Sequence, residues 1–402
     1  MSYKYLMDIA LILLSTKCLS LLTKRFNLPQ VVGALLAGLI LGPAMLNILN
    51  ETEFISQMAE LGVIVLMFTA GLESNIDELK ESGRASLIIA TLGVIIPIFG
   101  GFAVAEMFKN EEIATVSTTV QSIFIGIVLT ATSVSITVET LKELGKLSTR
   151  AGNAILGAAI IDDILGILAL TVITSISDPN VSLRIVIFKI IGFFVFALIS
   201  GLVIEVLFSK WTHKYNVDKR RFVIFAFVIC LLMSFTAEEY FGVADITGAF
   251  IAGLILSKNN ERDYIKSRFE TVSYLLLSPM FFASIGICIT LPEMNLEILI
   301  FTLLITLTAI VSKIIGCGLG AKVCRYTNKE SVQIGIGMIS RGEVALIVAS
   351  KGLALGLMDD YFVGPIIIMV LITTIITPVL LKIVFKDKKS QNSDPEIAVS
   401  AK

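Results

Sequence analysis

The sequence predicts an all-α integral membrane protein that is built from two inverted repeats. The composition, a succession of apolar segments and one repeated motif support this prediction. Of 402 residues, 55% are apolar and only 16% are charged, and the mean hydropathy is +0.89. Because an ordinary soluble domain has roughly 25% charged residues, this chain could not cover a soluble surface.

Thirteen apolar segments are candidates for transmembrane helices, since a helix needs about 20 mostly apolar residues to cross a bilayer. We expect residues 1–384 to form one transmembrane domain and residues 385–402 a short cytoplasmic tail. The predicted spans are 6–22, 30–48, 58–73, 86–106, 118–141, 150–176, 184–208, 220–237, 243–257, 271–290, 296–320, 331–355 and 361–384.

Basic residues alternate between the two sides of these spans. The loops that follow spans 1, 3, 5, 7, 9 and 11, together with the tail, hold 24 lysines and arginines. The other side holds only Lys4, Lys109 and Arg184. Since cytoplasmic loops are enriched in basic residues, we predict an N-terminus outside the cell membrane and a cytoplasmic C-terminus.

A short motif occurs twice. GALLAGLIL at 33–41 and GAFIAGLIL at 248–256 share seven of nine residues at an offset of 215. At a nearly equal offset, FTAGLESNI from Phe68 aligns with FFASIGICI from Phe281. The motif copies lie in spans 2 and 9, seven crossings apart, so they run in opposite directions. Short motifs of small residues can match by chance, because such residues are common in membrane helices, but two matches in register make chance the weaker explanation. Spans 1–6 and 8–13 would then form an inverted repeat, an architecture of secondary transporters.

Charge and residue types exclude several function classes. The net charge of −1 and the lack of a long basic block argue against nucleic-acid binding. His213 is the only histidine, which argues against a histidine triad or a histidine-rich metal site. With no nucleophile motif or cluster of metal ligands, we expect neither an enzyme nor a bound cofactor.

Two adjacent carboxylates, Asp162 and Asp163, lie in the middle of span 6, with no other charge for nine residues on either side. Two neighbouring carboxylates in low dielectric cannot both be ionised cheaply. We expect one to pair with a cation and the other to exchange protons with ions. A purely structural ion pair is the alternative.

Spans 5 and 12 carry polar residues at mid-span, in matching positions of the two halves. Span 5 contains Thr132 and Ser133, and span 12 contains Ser340-Arg341-Gly342-Glu343. Interrupted helices in corresponding positions of two inverted halves indicate a transport site. Serine and threonine hydroxyls also bond to their own helix backbone, so span 5 alone is a weak signal.

At these residues the chain resembles the monovalent cation/proton antiporters, specifically the Nha/Nap/Kef-like branch called the second cation–proton antiporter family. The similar segments are ATSVSI at 131–136, IDDI at 161–164, SKIIGCGLGAK at 312–322 and SRGEVALI at 340–347. The resemblance implies thirteen transmembrane helices, two of them broken and crossing at the midplane. It also implies a dimerisation domain of spans 1–3 and 8–10 and an ion-translocating core domain of spans 4–6 and 11–13.

The resemblance also implies roles for individual residues. Asp163 would bind the cation and the proton, and Asp162 would form a salt bridge with Lys313 that breaks when the ion binds. Thr132 and Ser133 would supply further oxygens or brace the crossing, while Glu343 and Arg341 would stabilise the second broken helix. From the residues alone, Lys313 could instead extend to the cytoplasmic surface.

We therefore expect an antiporter that exchanges a monovalent cation, in the first place Na+, for H+, and that lies in membrane lipid as a homodimer. A K+/H+ antiporter or a Kef-type K+ efflux system is the alternative. Kef-type relatives often carry a long nucleotide-binding domain, whereas only 18 residues follow position 384 here. Whether a separate regulatory subunit binds is left open by the sequence.

Overall fold

The computed structural model describes residues 3–26, 28–108, 117–177, 182–214, 219–289 and 295–386, and these residues are almost entirely helical. The predicted tail lies outside the described residues from position 387 onwards. A π-helical turn, Ser273–Leu277, joins the helices Arg262–Val272 and Ser278–Ile287 into one continuous helix. The helices are α1 (Lys4–Arg25), α2 (Gln30–Leu41), α3 (Glu53–Glu73), α4 (Ile76–Met107), α5 (Thr118–Val128), α6 (Val134–Glu143), α7 (Arg150–Ser177), α8 (Leu183–Lys214), α9 (Arg220–Phe241), α10 (Asp245–Leu256), α11 (Arg262–Val272), α12 (Ser278–Ile287), α13 (Leu296–Val323), α14 (Asn328–Gly337), α15 (Glu343–Ala354) and α16 (Asp360–Val384).

These helices follow the predicted spans in order, which confirms an all-α membrane protein. Within the described residues, nine helical segments are long and apolar enough to cross a membrane. The other four predicted spans correspond to α2, α10 and the helix pairs α5–α6 and α14–α15. The count of thirteen crossings stays a prediction, because α2 and α10 have only 12 residues each. At 1.5 Å per residue they span about 18 Å of a hydrocarbon core of about 30 Å.

Several predicted span ends are wrong. The second span, predicted to reach position 48, ends at Leu41, because Pro43 follows Gly42 and proline disfavours helical geometry in the residue before it. Helix α4 starts at Ile76 rather than 86, and the tenth span starts at Arg262 rather than 271. Their first turns are rich in charged residues, so hydropathy does not detect them.

The two copies of the glycine motif pack in equivalent ways. A Cβ atom on Gly71 of α3 would lie 2.9 Å from the backbone nitrogen of Leu254 in α10. The Cβ atom on Gly71 would also overlap the carbonyl oxygen of Phe250. In the other copy, a Cβ atom on Gly286 of α12 would lie 2.5 Å from the carbonyl oxygen of Leu35 in α2. Phe250 and Leu35 are themselves 215 positions apart, so Gly71 corresponds to Gly286 at the same offset.

The predicted alignment of Phe68 with Phe281 is therefore wrong by two residues, and Phe68 corresponds to Ala283. In confirmation, Gly38 of α2 packs on the backbone of Ala283, and Gly253 of α10 packs on the backbone of Phe68. Phenylalanine and small residues recur so often here that the letters alone do not set the register. The close approach of two backbones does.

Contacts between α2 and α12 also show that the repeats run in opposite directions. A Cβ atom on Gly38 would lie 2.8 Å from the carbonyl carbon of Ala283, and one on Gly42 would lie 3.0 Å from the Cα atom of Ile287. Because contacts advance in the same sense along both helices, α2 and α12 are parallel. Successive spans α2 and α3 alternate in direction, so α12, the counterpart of α3, is reversed.

Packing divides most of the helices into two groups. The scaffold group contains α1–α3 and α9–α12, and the crossing group contains α4–α7 and α13–α16. Helix α6 packs on α7 and α16 of its own group and also contacts α2 and α3. The groups consist of the helices assigned from the sequence to the dimerisation and core domains. The roles of these domains stay predictions.

Candidate ion-binding site

Both spans with polar centres are interrupted, as predicted. Residues 129–133 separate α5 from α6, and residues 338–342 separate α14 from α15. Each interruption leaves carbonyl groups at the end of one short helix and N–H groups at the start of the next. Partners for these groups must come from the opposite interruption or from nearby side chains.

The two interruptions contact each other directly. The backbone N–H of Ser133 donates a hydrogen bond to the carbonyl oxygen of Ser340 at 2.7 Å. One turn further, the hydroxyl of Thr137 donates to the carbonyl oxygen of Gly337 at 2.7 Å. A Cβ atom on Gly342 would lie 2.7 Å from the hydroxyl of Ser133, so a larger residue would push the segments apart. The broken helices therefore cross.

Arg341 is fully buried at this crossing. Its guanidinium donates to the carbonyl oxygen of Leu129, just after α5, at 2.7 Å, and also to that of Ile339, just after α14. The hydroxyl of Thr374 on α16 donates to the carbonyl oxygen of Arg341 itself. Since helix C-termini carry partial negative charge, one cation stabilises the ends of both short helices.

Asp162 and Lys313 form a buried ion pair beside the crossing. The Nζ atom of Lys313 lies 2.8 and 3.0 Å from the two carboxylate oxygens of Asp162. The side chain of Lys313 is 0% exposed and that of Asp162 is 2% exposed. Lys313 therefore does not extend to the membrane surface, and the alternative that it reaches the cytoplasmic surface is wrong. Asp162 also attracts Arg341 electrostatically. One carboxylate therefore lies within electrostatic range of two buried cations.

The remaining predicted site residues lie on the same elements. Asp163 follows Asp162 on α7 and is half-buried. Successive residues on a helix differ by about 100° in direction, so the two carboxylates face different surroundings. Thr132 and Ser133 are buried in the first interruption, where the Thr132 hydroxyl donates to the carbonyl oxygen of Thr130 at 3.3 Å. Glu343 begins α15, and its side chain lies outside the described part of the chain.

Sequence reasoning missed three residues that surround the site. A Cβ atom on Gly93 of α4 would lie 2.5 Å from Cys317 Sγ, 3.8 Å from Lys313 Nζ and 3.9 Å from Asp162 Oδ1. Gly93 therefore gives Cys317 room to pack against α4, directly beside the ion pair. Cys317, one helical turn after Lys313, is fully buried, and Thr374 bonds to Arg341. Only the spacing of Cys317 from Lys313 was visible in the sequence.

The sequence matches a known transporter family. The sequence pattern of the family described as "Sodium/hydrogen exchanger, transmembrane" matches residues 10–387. The chain belongs to the sodium/hydrogen exchanger family. This membership confirms the predicted monovalent cation/proton antiporter, and it makes the protein a transporter rather than an enzyme. The assignment to the second cation–proton antiporter family stays a prediction from the motifs.

Full-length relatives support the family. The chain is 39% identical over 397 residues to the Na+/H+-K+ antiporter GerN of Bacillus cereus, covering 98% of this chain and 100% of GerN. It is 36% identical over 380 residues to a Na+/H+ antiporter of Enterococcus hirae, with 93% and 96% of the two chains covered.

A solved structure supports the fold. The sodium proton antiporter MjNhaP1 of Methanocaldococcus jannaschii matches with a TM-score of 0.66 at 19% identity. The match covers 94% of this chain and 95% of the MjNhaP1 chain.

Proposed function

We propose that this antiporter exchanges Na+ for H+ at one site formed by Asp163 and Asp162, by alternating access. The observation that carries the proposal is the buried ion pair between Asp162 and Lys313 at 2.8 Å, next in the chain to a second carboxylate. Buried charge inside a membrane is costly and is retained mainly for function. The relatives' names, Na+/H+ antiporter and Na+/H+-K+ antiporter, agree with this ion.

In this proposal Asp163 carries either a proton or a cation. The arriving cation displaces the proton from Asp163 and competes with Lys313 for Asp162, whose salt bridge then breaks. Oxygen atoms from Thr132 and Ser133 complete the site, since Na+ is bound by oxygen ligands. Arg341, with Glu343 at the start of α15, keeps the second broken helix in place.

K+ is the second candidate ion, because the name of the relative GerN includes K+. Na+ and K+ differ in cavity size and in the number of oxygen ligands that they favour. Both candidates use the same carboxylates, so variants of Asp163 affect both alike.

The finer features of the cell biology belong to the same proposal. The protein would lie in the plasma membrane as a homodimer, with its N-terminus outside and its C-terminus in the cytoplasm, and would act without a cofactor. The asymmetric distribution of 24 and 3 basic residues supports the orientation. A regulatory subunit stays open.

Reconstitution tests the proposal. Purified protein in liposomes containing a pH-sensitive dye is given Na+, Li+ and K+ in turn at a clamped membrane potential. We expect Na+ to drive proton release and Asp163→Asn to abolish it, since an amide neither releases a proton nor carries charge. Asp263→Asn is the matched control, because Asp263 is 88% exposed on α11. Wild-type rates in Asp163→Asn would remove Asp163 from the mechanism.

A further inference from the structure

A cluster of charges joins the two helix groups away from the ion site. Lys142, near the end of α6, lies 3.2 Å from Glu73 of α3 and 3.4 Å from Glu270 of α11. Its ammonium also donates to the hydroxyl of Thr69 at 3.3 Å. Lys266 of α11 lies 3.3 Å from the same Glu73 carboxylate. A lysine of the crossing group is thus held between two carboxylates of the scaffold group.

Glu143, the next residue, forms a second link between the groups. Its two carboxylate oxygens accept the backbone N–H of Gln30 at 3.0 and 2.9 Å. Gln30 is the first residue of α2, and its preceding residue, Pro29, provides no side-chain cap. A carboxylate at a helix N-terminus satisfies a free donor and interacts favourably with the helix dipole. Both links therefore end on scaffold helices.

These links lie at a cavity between the two helix groups. The cavity has a volume of about 470 Å³ and lies between α1, α2, α6 and the helix formed by α11 and α12. Lys142, Glu143 and Glu270 all contribute to its lining. The distance between α6 and the scaffold group sets its width, so any movement of the crossing group that closes the cavity changes the geometry of these links.

We propose that Lys142 and Glu143 are positioning residues for the exchange reaction. They act as a latch that holds α6 to Glu73, Glu270 and the start of α2 while the cavity is open, and the latch releases when the crossing group moves. The proposal rests on the proposed exchange by alternating access. In this proposal the two residues set the relative population of two transport states, and they do not contact the transported ion.

The size of the effect follows from exposure. Lys142 and Glu73 are 19% and 13% exposed, so their pair is stronger than a surface pair and weaker than the pair at the ion site. Partly exposed pairs are worth at most about a tenfold change in an equilibrium. Lys142→Gln should therefore lower the ratio of open-cavity to closed molecules about two- to tenfold.

The test measures access to the cavity. Leu13, which lines the cavity on α1, is replaced by cysteine in a Cys18→Ser background, because Cys18 is exposed. A membrane-impermeant maleimide is applied from each side of the membrane in turn. Labelling of the same background without Leu13→Cys is subtracted. We expect Lys142→Gln and Glu143→Gln to slow labelling by up to about tenfold, and Lys142→Arg to retain the wild-type rate.

An ion pair within one group, whose lysine is more exposed, provides the control. Lys219 and Glu261 lie 2.9 Å apart, with Glu261 13% exposed like Glu73, but both residues belong to the scaffold group. Lys219→Gln should leave labelling unchanged. Labelling rates in Lys142→Gln and Glu143→Gln equal to those of Lys219→Gln would overturn the latch.

A second readout separates positioning from general stabilisation. When one state loses population, the apparent affinity on its side falls and that on the opposite side rises. The cation concentration at half-maximal rate should thus shift in opposite senses on the two sides of the membrane. A lower melting temperature with no such shift would reduce the cluster to a structural role. Because maleimide labelling needs no transported ion, failure of Na+/H+ exchange in the wild type stays distinguishable from failure of the latch.

Discussion

Removing either partner of the buried ion pair should strongly destabilise the protein. Lys313 and Asp162 are 0% and 2% exposed and lie 2.8 Å apart. At an effective dielectric constant of about 20, charges about 3 Å apart attract by about 5–6 kcal/mol. Breaking a buried pair from one side typically costs about 3–5 kcal/mol, because it leaves an unpaired charge. We therefore expect Asp162→Asn and Lys313→Met each to lower the unfolding free energy by about this amount.

The surroundings make the two losses unequal. Asp162→Asn leaves two buried cations, Lys313 and Arg341, without the carboxylate that attracts both. In Lys313→Met, Arg341 still attracts the carboxylate of Asp162. Asp162→Asn should therefore destabilise more, and the double variant should lose less than the sum of the single losses, by about 1–3 kcal/mol.

Unfolding of the purified protein in mixed micelles with increasing denaturing detergent measures these free energies. The cycle of Lys219→Gln and Glu261→Gln is the control, because Lys219 is 44% exposed and its pair should couple by less than about 1 kcal/mol. Additive losses for Asp162→Asn and Lys313→Met would refute the reasoning. A larger loss in Lys313→Met than in Asp162→Asn would refute the part assigned to Arg341.

Two further predictions concern packing and competition. Gly71→Ala should lower the melting temperature, because its Cβ atom would overlap the backbone of α10 and overpacking costs about 1–3 kcal/mol. Gly83→Ala is the control and should raise the melting temperature slightly, because a Cβ atom there would have nothing within 4 Å. Equal melting temperatures of the two variants would contradict the close approach of α3 and α10. If cation and proton share Asp163, the cation concentration at half-maximal rate should fall about tenfold per pH unit on the acid side and level off at alkaline pH. Initial rates in liposomes at several pH values measure this, and a half-maximal concentration that stays constant would mean separate sites.

Features that depend on local sequence were predictable. The apolar segments, the polar centres of spans 5 and 12, and the adjacent aspartates are each visible within about 20 residues. The glycine motif at 33–41 and 248–256 even predicted the inversion, because an odd number of crossings separates the copies. Helix ends were less accurate, since the charged first turns of α4 and α11 carry no hydropathy signal.

Features that join distant segments required the tertiary structure. The sequence by itself determined that Asp162 and Lys313 are charges in apolar helices, and the family resemblance suggested that they pair. Only packing decided that Lys313 is fully buried against Asp162, 151 positions away, and that Gly93 leaves room for Cys317 beside the pair. Likewise, nothing in the letters placed Lys142 between Glu73 and Glu270. The reason is physical: hydropathy and helix propensity act locally along the chain, whereas side-chain pairing depends on which helix faces meet after the whole bundle has packed.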